Sequence, residues 1–146
     1  MYKHILVPTD GSDLSSAAID QALELARMLG AKVTALTVAE PLHFLPVTPG
    51  GTANLRADYD AHLKESGARI LGAVEAKAAA AGVPIETIQV AAGDAWQAIV
   101  DTAKERGCDL IAMASHGRRG VSAFLMGSVT TRVLGHAKVP VLVYRS

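Results

Sequence analysis

Five short apolar runs alternate with stretches of helical periodicity along this chain, and that alternation restricts the fold more than any other feature. The runs are Lys3–Pro8, Lys32–Val38, Ile85–Ala91, Leu110–Ala114 and Val139–Tyr144. Leu110–Ala114 (LIAMA) contains no polar residue, as expected of a strand covered on both faces. Parallel strands need a crossover between them, and here each gap is long enough to supply a helix. The expected fold class is therefore α/β: an open five-stranded parallel sheet, Rossmann-like, with helices on both faces. One domain covering residues 1–146 is long enough to bury a substantial core.

The helices carry their own punctuation. Ser12 is placed to cap a helix running to Leu29, Asp13 suits its positive end, and Gly30 stands where it should stop. Ala18, Ala22, Leu25 and Leu29 keep helical spacing within it. A second helix is expected over Ala53–Ala81, with Leu55, Tyr59, Leu63, Ile70 and Val74 on one face. Gly67 and Gly72 each weaken it by about 1 kcal/mol relative to alanine, so they mark either close packing or a bend. Asp94 and Gln97 form a capping-box pattern opening a helix that ends near Gly107, and a last helix is expected over Ser128–His136. The stretch Glu40–Thr52, with Pro41, Pro46, Pro49 and Gly50-Gly51, is longer than a simple connection, which suggests a flap or a surface insertion.

Charge and cysteine content exclude several classes of function. Lysines and arginines number 14, as do aspartates and glutamates, so there is no basic field for nucleic acid or an anionic membrane. The single cysteine, Cys108, can form neither an internal disulfide nor a multi-cysteine metal site, and its place before an apolar run suits a small buried hydrophobe. His4, His43, His62 and His136 show no metal-ligand spacing. No apolar run approaches the ~20 residues that span a bilayer and no leader pattern opens the chain, so a cytoplasmic location is expected.

In an open parallel sheet, ligands bind beyond the strand ends where neighbouring connections diverge. Two such ends carry polar, glycine-containing turns: Pro8-Thr9-Asp10-Gly11-Ser12 and Ser115-His116-Gly117. If their strands are neighbours, the turns line one crevice. Glycines permit close backbone approach, helix-start amides at Gly127-Ser128 can donate to an anion, and Arg118 and Arg119 either balance its charge or remain solvated. Asp10 either accepts hydrogen bonds from a ribose or helps hold a metal, or else simply makes the turn or helps cap the helix. Ser128 caps its helix, contacts a phosphate, or does both. Val38 offers an apolar wall for a base. His116 has no acid, serine or cysteine close enough in sequence to form a catalytic pair, so loop shaping or phosphate contact is expected of it. Trp96 is expected to pack beneath its helix rather than stack on a base. These residues point to a nucleotide-sized anionic ligand.

The chain also resembles the universal stress proteins over essentially its whole length. The resemblance rests on KHILVPTDGS, the strand ending in Thr37-Val38, MASHGRRG, Gly127-Ser128-Val129-Thr130 and VPVLVYR. Nucleotide-binding members carry a pattern of glycine, two residues, glycine, nine residues, then glycine and serine or threonine. Here it falls on Ala114, Gly117, Gly127 and Ser128. The resemblance implies a doubly wound fold, a homodimer through the C-terminal strand Val139–Tyr144, and bound ATP with or without Mg2+. It places Pro8, Thr9, Asp10, Val38 and Met113 around base and ribose. Ala114, His116, Gly117, Gly127, Ser128, Val129 and Thr130 would surround the phosphates. Ala114 departs from the pattern: it is strained by roughly 1–2 kcal/mol if that position needs a positive φ, and tolerable if glycine serves only for clearance. No P-loop Gly-x-x-x-x-Gly-Lys-Ser/Thr occurs, so the expected function is an ATP-binding, dimeric stress-response sensor or switch without strong catalysis. A nucleotide-free dimeric scaffold and a slow ATP hydrolase are the alternatives.

Overall fold

The computed structural model of the chain describes residues 1–40, 52–117 and 126–145. Its elements run β1 (His4–Pro8), α1 (Asp13–Leu29), β2 (Lys32–Ala39), α2 (Thr52–Ala81), β3 (Ile85–Ala91), α3 (Ala95–Glu105), β4 (Leu110–Ala114), α4 (Ser128–His136) and β5 (Val141–Tyr144). All five strands pair in parallel, in the order β3-β2-β1-β4-β5. The chain therefore winds outward from β1 to β3, then crosses back to lay β4 on the other side of β1. The expected strand at Val139 starts later, at Val141. Pro140 stands just before it and contributes only its carbonyl, which accepts from the Ile111 amide at 3.0 Å.

The period-two alternation of the central strands sorts the core into two layers. Ile5, Val7, Val33, Ala35, Leu110 and Ala112 meet α1 and α2 on one face. Leu6, Leu36, Ile111 and Met113 meet Ile99, Ala103 and Val133 of α3 and α4 on the other. Trp96 packs against this second layer, its ring 4.3 Å from that of His136 and tilted by 34°. Cys108 is a free, buried thiol in the same layer. Burial pushes it up to about 11, with a hydrogen bond to Thr34 pulling the other way.

Local signals are realised unevenly. Ser12 caps α1 by accepting from the Ser15 amide, and Gly30 ends it in the left-handed conformation with φ +66°. At α3 the capping box does not form. Asp94 makes no side-chain cap bond, and Gln97 donates instead to Asp101, one turn further along, at 3.0 Å. In α2 the buried stripe is Leu71, Val74 and Ala78, while Leu55 is 57% exposed. The helix continues through Gly67 and Gly72. A Cβ at Gly67 would run into the Gln89 amide, which donates to the Leu63 carbonyl at 3.0 Å, so close packing accounts for that glycine. The segment 41–51 lies outside the described residues.

At the opposite end of the sheet from the candidate crevice, His4 is buried with its Nε2 2.6 Å from Thr34 Oγ1. Burial, aided by Lys32, holds its pKa below 6.5 against the opposing pull of Asp109 and Glu86. Burial works against the charge on Asp109 as well. The amides of Lys3 and His4 donate to its carboxylate and together bring its pKa below 3.8. Both folded-state values lie under their unfolded ones, so both groups contribute stability that is present at higher pH and lost on acidification. The melting temperature is expected to hold steady above pH 6.5, fall as His4 is forced to ionise, and fall again below pH 3.8. Thermal scans of His4→Gln across this range should lack the first decline. An unchanged decline would assign it to another group.

Candidate functional site

β1 and β4 lie side by side at the point where the winding reverses, so the two glycine-containing turns do share one end of the sheet. The first turn is tied down by its own hydroxyls and carboxylate. The Thr9 amide donates to the Leu36 carbonyl at 2.8 Å, carrying the β1–β2 ladder one residue past Pro8. Thr9 Oγ1 lies 3.0 Å from Ser15 Oγ and accepts from the Gly11 amide at 3.3 Å. Asp10 Oδ1 accepts from the Ser12 amide at 3.0 Å, an Asx-turn that leads into the α1 cap. Gly11 takes φ +79°, which a residue with a Cβ rarely adopts.

The second turn is held from three sides. The Ser115 amide donates to the Tyr144 carbonyl at 2.9 Å, and its own carbonyl accepts from Gly127 N–H at 2.8 Å. His116 is half-buried, and its Nδ1 lies 3.2 Å from Ser115 Oγ, so the adjacent serine does reach the ring, contrary to the expectation that none is near enough to pair with it. Gly117 lies against Asp10, and a Cβ built on it would come within 2.2 Å of the carboxylate Oδ2, too close to coexist with it. A Cβ on Gly127 would sit 3.0 Å from the His116 Cβ and 3.1 Å from its Cα. Both glycines of the long-spaced pattern thus draw protein segments onto one another: the second turn onto the first, and the start of α4 onto the second turn.

α4 begins at Ser128, so Gly127, not Ser128, occupies the cap position, and no side chain caps the helix. The amides of its first turn have no partner inside the helix and remain suited to an anion. Ser128 is exposed and Val129 half-buried. Thr130 is buried, its hydroxyl donating to the Ala114 carbonyl at 3.0 Å, so it braces β4 against α4. Val38 and Met113 pack with the core layer under α3 and α4, Met113 being only 5% exposed. Of the expected set, Pro8, Thr9, Asp10, Ala114, His116, Gly117, Gly127 and Thr130 gather around the two turns. Val38 and Met113 supply core beneath them. Ser115 links β5, His116 and α4, although the spacing argument does not single it out. Arg118 and Arg119 lie outside the described residues. No cluster of three or more His, Cys, Asp or Glu side chains occurs among the described residues.

Ala114 ends β4 in register with Tyr144, and none of the described non-glycine residues has a positive φ. Alanine at this place in the pattern is therefore unstrained. Restoring the pattern by Ala114→Gly is expected to cost about 0.5–1 kcal/mol of stability and to leave ligand affinity within about twofold. Paired thermal scans and titrations check this, and a large gain in affinity would mean that the methyl obstructs the ligand.

Comparison with known proteins bears on this geometry. The sequence profile of the universal stress protein family matches residues 1–145. The universal stress protein MJ0531 of Methanocaldococcus jannaschii is 36% identical over 145 residues, spanning 99% of this chain and 83% of that protein. The solved structure of MJ0577, from the same organism, superposes with a TM-score of 0.85 at 26% identity, covering 100% of this chain and 97% of the other. A universal stress protein crystallised in complex with cAMP superposes with a TM-score of 0.69 at 30% identity, covering 99% and 97%.

Proposed function

This chain belongs to the universal stress protein family, and from that premise we propose that it is a homodimeric stress-response switch that binds an adenine nucleotide, ATP foremost, between the β1 and β4 turns. The packing of Gly117 on Asp10 carries the reading, because it brings the carboxylate of the first turn against the second turn, on which the start of α4 packs in its turn through Gly127. Asp10 would accept from the ribose, and the first-turn amides of α4 would donate to the phosphates. Ser128, exposed at that helix start, and Asp10 are the oxygen donors suited to an accompanying Mg2+. The bound cAMP of a relative 30% identical to this chain supports the ligand class.

What surrounds the phosphate end favours binding in place of turnover in this reading. His116 is engaged with Ser115, and Thr130 with the Ala114 carbonyl, so neither is set up as a base for water. The nucleotide would act by fixing the two turns relative to one another. Dimerisation would use β5, the sheet's edge strand, where Leu142 is 37% exposed. No helix among the described residues is long and apolar enough to cross a membrane.

Mass spectrometry of gently purified protein, with calorimetric titration of ATP and solution mass at micromolar concentration, tests the proposal. An adenine nucleotide or a saturable heat, on a particle of twice the chain mass, is the expected result. A protein that carries no nucleotide, gives no heat and melts unchanged in millimolar Mg-ATP would instead be a scaffold. Phosphate release well above background that drops in Asp10→Ala would make it a hydrolase.

A further inference from the structure

On the α1–α2 side of the sheet, away from α4, a groove of about 230 Å³ opens between the two helices. Its wall is apolar, from Ile19 of α1 and Ile70, Ala73 and Val74 of α2, and two cations, Arg69 and Lys77, border it. The two cations differ. Lys77 is committed, with its Nζ 2.8 Å from Asp20 Oδ1 and donating to Ser16 Oγ at 3.2 Å. Arg69 has no ion-pair or hydrogen-bond partner among the described residues.

We propose that this groove is a second ligand site, separate from the nucleotide crevice, for a small amphiphilic carboxylate. A guanidinium without a partner among the described residues answers a single negative charge, and its planar fork matches a carboxylate's two oxygens. The apolar wall answers a short hydrocarbon body, whose transfer from water supplies the remaining attraction. A polyphosphate would need several donors, and here Lys77 is already neutralised by Asp20. The groove ends on Thr9 and Gly11, the back of the turn that carries Asp10. An occupant would therefore abut the first turn without entering the crevice. The site does not depend on nucleotide binding.

The test is an amide chemical-shift titration of the whole isotope-labelled protein with sodium hexanoate, with hexanamide as the uncharged control. Saturable shifts are expected at Ile19, Ile70, Val74 and Lys77, with hexanamide binding about fivefold more weakly. Arg69→Gln should reduce hexanoate affinity to the hexanamide level. Ala73→Leu, at an exposed helix position where leucine is well tolerated, should fill the groove and abolish both sets of shifts without altering the far-UV spectrum. Equal affinity for the two probes, indifference to Arg69→Gln, or shifts centred elsewhere would overturn the proposal. So would displacement of hexanoate by Mg-ATP, which would make the groove part of the crevice. Failure of ATP to bind would count against the nucleotide reading alone and leave this one standing.

Discussion

Gly117→Ala is expected to weaken adenine-nucleotide binding about tenfold while hardly changing the melting temperature. Gly117 is not among the glycines with positive φ, so the backbone accepts an alanine without strain. The difficulty is spatial. The added methyl would lie 2.2 Å from Asp10 Oδ2, so the half-buried carboxylate, at the end of a rotatable side chain, has to swing away. Swinging away breaks the Asx bond to the Ser12 amide, worth about 1 kcal/mol. The alanine offsets this by restricting the unfolded chain, by about 0.4–1 kcal/mol. These two terms nearly cancel, whereas the ligand loses an oriented acceptor worth about 1.5 kcal/mol. Calorimetric titration alongside a thermal scan separates the two quantities. In an Asp10→Ala background the same glycine replacement should have no further effect on affinity, because the group it displaces is gone. Undiminished affinity in the single variant would remove Asp10 from the site.

The largest loss of stability is expected from Ile111→Ala, about 3–4 kcal/mol in denaturant unfolding, or roughly 10 °C in melting temperature. Ile111 has no exposed surface. In the sheet it stands in register with Leu6 on one side and Val141 on the other. Its side chain packs in the layer that Ile99 and Val133 close from α3 and α4. With a strand on each side and two helices above, the surroundings have little freedom to collapse into the space left behind, which puts the cost toward the upper part of its range. Ile111→Val should cost about 1 kcal/mol. A loss near 1 kcal/mol for the alanine variant would mean that this layer relaxes readily.

The frame was legible because its signals are local and strong. Ile85–Ala91 and Leu110–Ala114 are strands to the residue, and Ser12 and Gly30 bound α1 as their chemistry requires. The adjacency of β1 and β4, which the site argument needed, follows from a doubly wound order. Interactions decided by tertiary neighbours were not legible. Asp94 and Gln97 satisfy the capping pattern, yet the Gln97 side chain donates forward to Asp101 and Asp94 makes no side-chain cap bond. Leu55 keeps helical spacing with Val74, but the part of α2 that meets the sheet is the later stripe through Leu71 and Ala78. The glycine spacing picks out Gly117 and Gly127, and the protein atoms that a side chain there would meet belong to Asp10 and to Ser115-His116, which the spacing alone does not name. Spacing reports that a side chain is forbidden; it does not report what stands in its place.

The bond from the Ser115 amide to the Tyr144 carbonyl has a consequence for biosynthesis. The second turn is anchored to the outermost strand, and the first turn rests on the second. A nascent chain released only as far as α4 would have both turns but not the strand that holds them in place. On the proposed reading, ligand capture would become available only once residue 144 has docked, and an occupied crevice would mark a chain whose sheet is complete.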